Sequence, residues 1–275
     1  MKLRIVFSIA LLICPAALVA QLSVPKVGVA RYADRTVRGI NGLDSNMLAG
    51  NQVLYSADAI SFSDAGGLVS IAGRIQLITA QASVTGEYTS NESSPVLNID
   101  GDLTTAIAWL PSRSLLVYWN GQSFAQTSVN NADLPGKVTA LQAVGGTVAK
   151  LLLSDASGNV WQASVSLVTG NVTSVNLLPG IKGPAFQQYG FLVFHDSNGL
   201  QVQAPNGAVR TLPLAAPTVT FERMSSDWVH IASPATNQDW TLHLTNKALQ
   251  LSVLPAATNS TGPTSPLRHP VEAAK

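Results

Sequence analysis

The chain has only four histidines, and two of them stand where they could act together. His230 and His243 fall on either side of one turn, in what the alternation predicts to be neighbouring strands of a hairpin. Backed by Asp227 or Asp239, such a pair could bind a metal. The spacing is much looser than a zinc signature, and two ordinary strand histidines on a partly wetted sheet explain it as well. His195-Asp196 marks another turn, and His269 lies in a tail rich in Pro, Ser and Thr.

The carboxylates are equally scattered. Asp155-Ala156-Ser157-Gly158-Asn159 has the outline of a calcium loop but lacks alternating acids and a distal Glu. Asp and Asn more often fold such turns by accepting bonds from the backbone ahead of them. Asp100-Gly101-Asp102 could offer an acid and a base, but that work needs a set separation across a cleft. A Gly-x-Ser-x-Gly elbow, a phosphate loop and a dinucleotide fingerprint are all absent from the sequence. The expectation is therefore no catalytic residue, no metal and no cofactor.

What would position these residues is a repeat. Val148 to Pro179 comprises an apolar run, a turn, a second run opening at Asn159-Val160-Trp161, another turn and a closing Leu178-Pro179. Gly190 to Pro213 and Asp227 to Pro255 repeat the plan, with Trp161, Leu200 and Trp240 in the same place, 39 and 40 residues apart. Leu-Pro closes the unit at Leu134-Pro135, Leu178-Pro179, Leu212-Pro213 and Leu254-Pro255. A period near 40 residues with several short strands per unit is the mark of a β-propeller blade. Helical periodicity is missing throughout. The fold class expected is all-β, a β-propeller of five or six four-stranded blades. About 22 candidate strands fit either five blades with extra N-terminal strands or six with one degenerate.

Ser154-Asp155-Ala156-Ser157-Gly158-Asn159-Val160-Trp161 resembles the Asp-x-x-Gly-Asn-Val/Ile-Trp hairpins of bacterial propeller repeats, the NHL-like, sensor-propeller and streptogramin-lyase-like families. His195-Asp196-Ser197-Asn198-Gly199-Leu200 is a looser copy. The resemblance implies the fold and no activity, because propellers host many unrelated functions. Lyase-type members use histidines near the axis, and no matching pair recurs at equivalent blade positions here.

In chain order, Val27–Tyr32 and Thr36–Ile40 read as strands around an Asp34-Arg35 turn, and one of them is expected to close the ring by joining the last blade. Residues 41–52 and 82–94 read as loops, from their polar composition. Trp109, Tyr118 and Trp119 belong to strands and are expected in the packing between blades. Asn120-Gly121 is a hairpin turn.

Only 11% of residues are charged, against about 25% in ordinary chains, and no basic stripe invites nucleic acid. Met1 to Ala20 has the basic start and apolar run of a secretory signal peptide, too short to span a bilayer. Its removal takes the single cysteine, Cys14, and lowers the net charge from +1 to −1. The expected organisation is a leader over 1–20, a propeller over 21–256 and a disordered tail over 257–275, with no membrane span after cleavage. The function expected is a secreted or periplasmic, non-catalytic scaffold for a protein or small-molecule ligand, bound near the blade turns at Asn120, Asp155, Asp196 and Asp239. The alternatives are a lyase or hydrolase acting on a glycan or lactone in the channel, and a cell-envelope assembly scaffold.

Overall fold

The computed structural model describes residues 25–43, 46–245 and 249–256. The leader and tail expected from the sequence lie outside them. The described chain folds into six antiparallel sheets, each made of consecutive strands, arranged as the blades of a β-propeller. Blade 1 holds β1 (Lys26–Arg31), β2 (Val37–Leu43) and β3 (Asn46–Leu54). Blade 2 holds β4 (Ala57–Ser63), β5 (Gly66–Ile71), β6 (Arg74–Thr79) and β7 (Val84–Thr89). Blade 3 holds β8 (Val96–Ile99), β9 (Ala106–Leu110), β10 (Leu115–Trp119) and β11 (Phe124–Ser128). Blade 4 holds β12 (Lys137–Val144), β13 (Val148–Ser154), β14 (Asn159–Ser166) and β15 (Val172–Lys182). Blade 5 holds β16 (Ala185–Gln188), β17 (Phe191–Asp196), β18 (Gly199–Gln203) and β19 (Val209–Leu212). Blade 6 holds β20 (Thr220–Arg223), β21 (Trp228–Ser233), β22 (Gln238–Leu244) and β23 (Leu249–Val253).

Of the two arrangements the strand count allowed, the structure has six blades with the first one degenerate. Trp161, Leu200 and Trp240 do share a place, on the third strands β14, β18 and β22. The core is not inside any one blade. Each apolar cluster crosses a blade boundary, such as Ala59, Leu68 and Leu77 of blade 2 against Leu97, Ala108 and Val117 of blade 3. A larger one joins Leu152 of blade 4, Phe186 and Val202 of blade 5 and Val229 and Leu242 of blade 6. A single blade would thus expose both of its apolar faces, and stability comes only from stacking. Trp109 is buried at the boundary of blades 3 and 4, with Tyr118 packed against the same cluster, and Trp119 packs between blades 2 and 3.

Both polar stretches expected as loops contain strands. Residues 46–54 form β3 and residues 84–89 form β7, each the outermost strand of its blade. An outermost strand is wetted on much of its surface, so it needs no apolar alternation, and the sequence pattern that reveals inner strands is missing.

Ring closure also differs from expectation. Blade 6 is complete with four consecutive strands and has no vacancy for an N-terminal one. Instead β1 packs against β20 in the opposite direction: Val29 N–H donates to Met224 O at 3.2 Å, Arg31 meets Glu222, and Ser225 Oγ donates to Val27 O. The innermost strands of the other blades run the same way: bonds from Gln188 to Ser225, Ser226 to Asp64 and Arg223 to Ile99 bring the C-terminal ends of β16, β20, β4 and β8 together at one end of the ring. Blade 1 therefore begins, among the described residues, at the position of a second strand. Gly28 makes the junction possible, because a Cβ there would stand 2.7 Å from the Met224 carbonyl oxygen.

Candidate functional site

Because the innermost strands of blades 2–6 are parallel, turns after second strands all emerge at one end of the ring and turns after third strands at the other. Asp155 and Asp196 occupy second-strand turns, and Asp239 lies on β22 just after the equivalent turn. Asn120 follows the third strand β10 and lies at the opposite end. The structure thus gathers three of the four residues singled out by sequence and separates the fourth.

Asp155 is consumed by its own hairpin. It accepts bonds from the backbone N–H groups of Ser157 and Asn159, the Asn159 amide, and Trp161 Nε1 at 3.1 Å. The bonds from Trp161 and Asn159 hold its carboxyl down to about 2. This explains the Asp-x-x-Gly-Asn-Val-Trp pattern as turn chemistry. Asn120 Oδ1 caps Gln122 and Ser123 in the same manner. Asp196 Oδ1 accepts from Asn198 N–H at 2.8 Å and from Gln201 Nε2 at 3.2 Å.

Asp239 has a different role. Its Oδ1 is 2.9 Å from His230 Nε2, while His230 Nδ1 faces Glu222 Oε2 at 3.5 Å. Glu222 in turn pairs with Arg31 of blade 1 at 2.7 Å. Burial opposes a charge on His230, but the bond to Asp239 and the neighbouring Glu222 outweigh it and hold the imidazole above its ordinary value. Burial likewise works against an ionised Glu222, and Arg31 and His230 overcome it and hold the carboxyl below the usual range. The result is an alternating chain of charges, Arg31, Glu222, His230 and Asp239, that clasps the last blade to the first. His243 is not opposite His230: it pairs with Trp228 across β21 and β22 and stacks on that indole at 4.1 Å. Among the described residues no group of three or more His, Cys, Asp or Glu side chains is arranged so that it could hold a metal ion.

The end of the axis nearest Asn120 is bridged. Arg223, at the end of β20, reaches across the ring to the carbonyl of Ile99 in blade 3. It also donates to Tyr189 Oη at 2.8 Å and Ser225 O at 3.3 Å, and lies over the Tyr189 ring. Gln188 Nε2 ties Ser225 and Ser226 from blade 5, and Ser226 Oγ reaches Asp64 of blade 2. Sequence reasoning missed Arg223 and Tyr189, which recur in no other blade. The left-handed Tyr189 (φ 50°) gives no readable signal beyond the Gly190 that follows it.

Clefts open at both ends: one of about 560 Å³, between blades 5 and 6 beside Pro205 and Arg210, lies at the Asn120 end, and three others reach the opposite end. One of about 370 Å³ lies between blades 4 and 5 beside Asp196 and Gln201. Another of about 440 Å³ lies between blades 5 and 6 beside His195 and Thr218. A third of about 260 Å³, between blades 6 and 1, is lined by Arg31, Tyr32 and Asp239 next to the clasp. Interblade grooves of this size suit small ligands.

The architecture is shared with solved structures at low identity. A protein of unknown function from Bacteroides caccae is 10% identical over 84% of this chain and 99% of that one, with a TM-score of 0.52. AztD from Citrobacter koseri is 16% identical over 83% of this chain and 69% of its own, with a TM-score of 0.44. Hydrazine synthase from Kuenenia stuttgartiensis is 11% identical over 83% and 79%, with a TM-score of 0.46. Such likeness concerns the fold alone. No protein-family model matches the chain, and no curated protein matches it. No helix among the described residues is long and apolar enough to cross a membrane.

Proposed function

We propose that the chain is an exported β-propeller, secreted or periplasmic, that binds a protein or small-molecule ligand at the end bearing Asp155, Asp196 and Asp239 and performs no catalysis. The observation that carries this reading is the contrast between the two ends. Three interblade clefts converge beside the second-strand turns, whereas the axis at the other end is filled by the bonds of Arg223. The clefts at that other end, of about 560 and 130 Å³, stand apart from one another, between blades 5 and 6 and at the junction of blades 6, 1 and 2. The signal-like Met1–Ala20 supports export. His230 is buried within ion pairs and unable to meet a substrate. That weighs against the lyase or hydrolase alternative, as does the bridged axis.

The test is hydrogen exchange on the full chain with and without soluble peptide and glycan panels, alongside turnover assays on polysaccharides and esters. Protection at 155–158, 195–198 and 234–237 without turnover is the expected result. Turnover, or protection centred on Tyr189, would overturn it.

A second reading, an assembly scaffold, is favoured by blade 1, where Leu43, Leu48, Val53 and Tyr55 are all exposed. Residues 46–57 of that outer edge carry no charge, and uncharged edges invite pairing. Leu48→Lys would abolish self-association or partner capture under this reading and leave cleft binding intact.

A further inference from the structure

The blade 4–5 cleft is unlike the other two in what lines it. Its side walls hold one carboxylate (Asp196), three carboxamides (Asn198, Gln201, Gln203) and a hydroxyl (Thr211), facing the apolar Ile181. A relay fixes the central amide: Thr211 Oγ1 donates to Gln201 Oε1 at 2.8 Å, and Gln201 Nε2 donates to Asp196 Oδ1 at 3.2 Å. Gln201 is only 6% exposed, so it is held in one orientation with one N–H left over. Asp196 Oδ2 and the Gln203 amide have no protein partner among the described residues. The cleft therefore presents a fixed donor beside a free carboxylate oxygen and a second free amide.

We infer that this cleft takes a neutral saccharide unit, an assignment that rests on the binding reading above. A sugar's vicinal hydroxyls each donate and accept, which matches carboxamides set beside a carboxylate. Asp196 is the only charged side chain among the lining residues, so an acidic sugar meets repulsion and no compensating cation. A peptide strand cannot pair with β18, whose edges are taken by β17 and β19; the edges open to one are those of β15 and β19, and trialanine probes them.

The experiment is a ¹⁵N–¹H titration of the full chain with D-glucose, D-galactose and N-acetyl-D-glucosamine, with D-glucuronate and trialanine as counter-probes. Saturable shifts from at least one neutral sugar, confined to residues 179–181, 196–203 and 209–211 and to the Gln203 side-chain amide, are expected. Gln203→Ala weakens that binding about three- to tenfold, the loss of one or two hydrogen bonds, and leaves the melting temperature unchanged. Methyl glycosides that match the free sugars point to a glycan terminus as the natural source. Equal response to glucuronate, response to trialanine alone, or no sugar response at these residues overturns the assignment. Sugar or peptide shifts at another cleft of the same end leave the binding reading standing, whereas turnover of a panel substrate with no shift at that end removes both.

Discussion

His230 Nε2 stands 2.9 Å from Asp239 Oδ1 inside blade 6, yet the charge chain that begins there ends on Arg31 of blade 1, 191 residues from its partner Glu222. Among the described residues, ring closure is thus an electrostatic and packing matter, with no strand shared between blades 6 and 1. His230→Ala leaves the half-buried Glu222 and Asp239 without their common cation, and the expected loss is about 1–3 kcal/mol. Urea denaturation at pH 6 measures it.

The same clasp sets a pH window. His230 has a folded value above its ordinary 6.5, so its contribution is complete below that value and is lost as pH rises through the folded one. Glu222 is held below its ordinary 4.5, so its contribution is present above that value and is lost as pH falls through the folded one. Facing His230 are Glu222, Asp239 and, beyond Glu222, Arg31, with Tyr32 nearby. Burial and the Asp239 charge push that phenol up to about 12, so it stays neutral throughout this range. The difference in denaturation midpoint between wild type and His230→Gln is expected to be largest from about pH 5 to 6.5 and to shrink above it.

Gly28 is the geometric half of closure. Gly28→Ala drives a Cβ into the Met224 backbone, which cannot rotate away, and overpacking of this kind costs about 1–3 kcal/mol. Gly39→Ala, on the neighbouring strand with nothing within 4 Å, is the control and is expected to be near neutral. Hydrogen exchange should rise in blades 1 and 6 of the first variant only.

Asp155 offers a spectroscopic check on the turn chemistry. Its carboxyl ¹³C signal should titrate with a midpoint near 2, and the Trp161 Nε1–H resonance should move with it. Asp155→Asn should remove the low-pH transition and leave the clefts unchanged.

Arg223 is a brace across the ring. Arg223→Met leaves the Ile99 carbonyl without its donor, a loss of about 1–3 kcal/mol. Thermal melts would register it, and binding at the opposite end should persist.

The blade plan was legible because Trp161, Leu200 and Trp240 repeat one third-strand position, and because the second-strand turns of blades 4 and 5 repeat Asp and Gly. The outer strands β3 and β7 were not, since wetted edges lack the alternation that betrays a strand. The link from His230 to Asp239 could be suspected from one hairpin. Glu222 and Arg31 could not, because only closure of the ring brings them together. Asn120 shows the same limit from the other side. Its hairpin is read correctly, but the end of the ring it faces depends on whether a turn follows a second or a third strand, which a local motif does not encode.

The most direct test of a ligand-binding end is differential hydrogen exchange of the intact chain across the glycan and peptide panels. The expected pattern is protection of the hairpins at 155–158, 195–198 and 234–237, with residues 120–123 and 189–190 unaffected and no panel member consumed. Protection centred on 189–190 and 223–226, or any ligand converted to product, would contradict it.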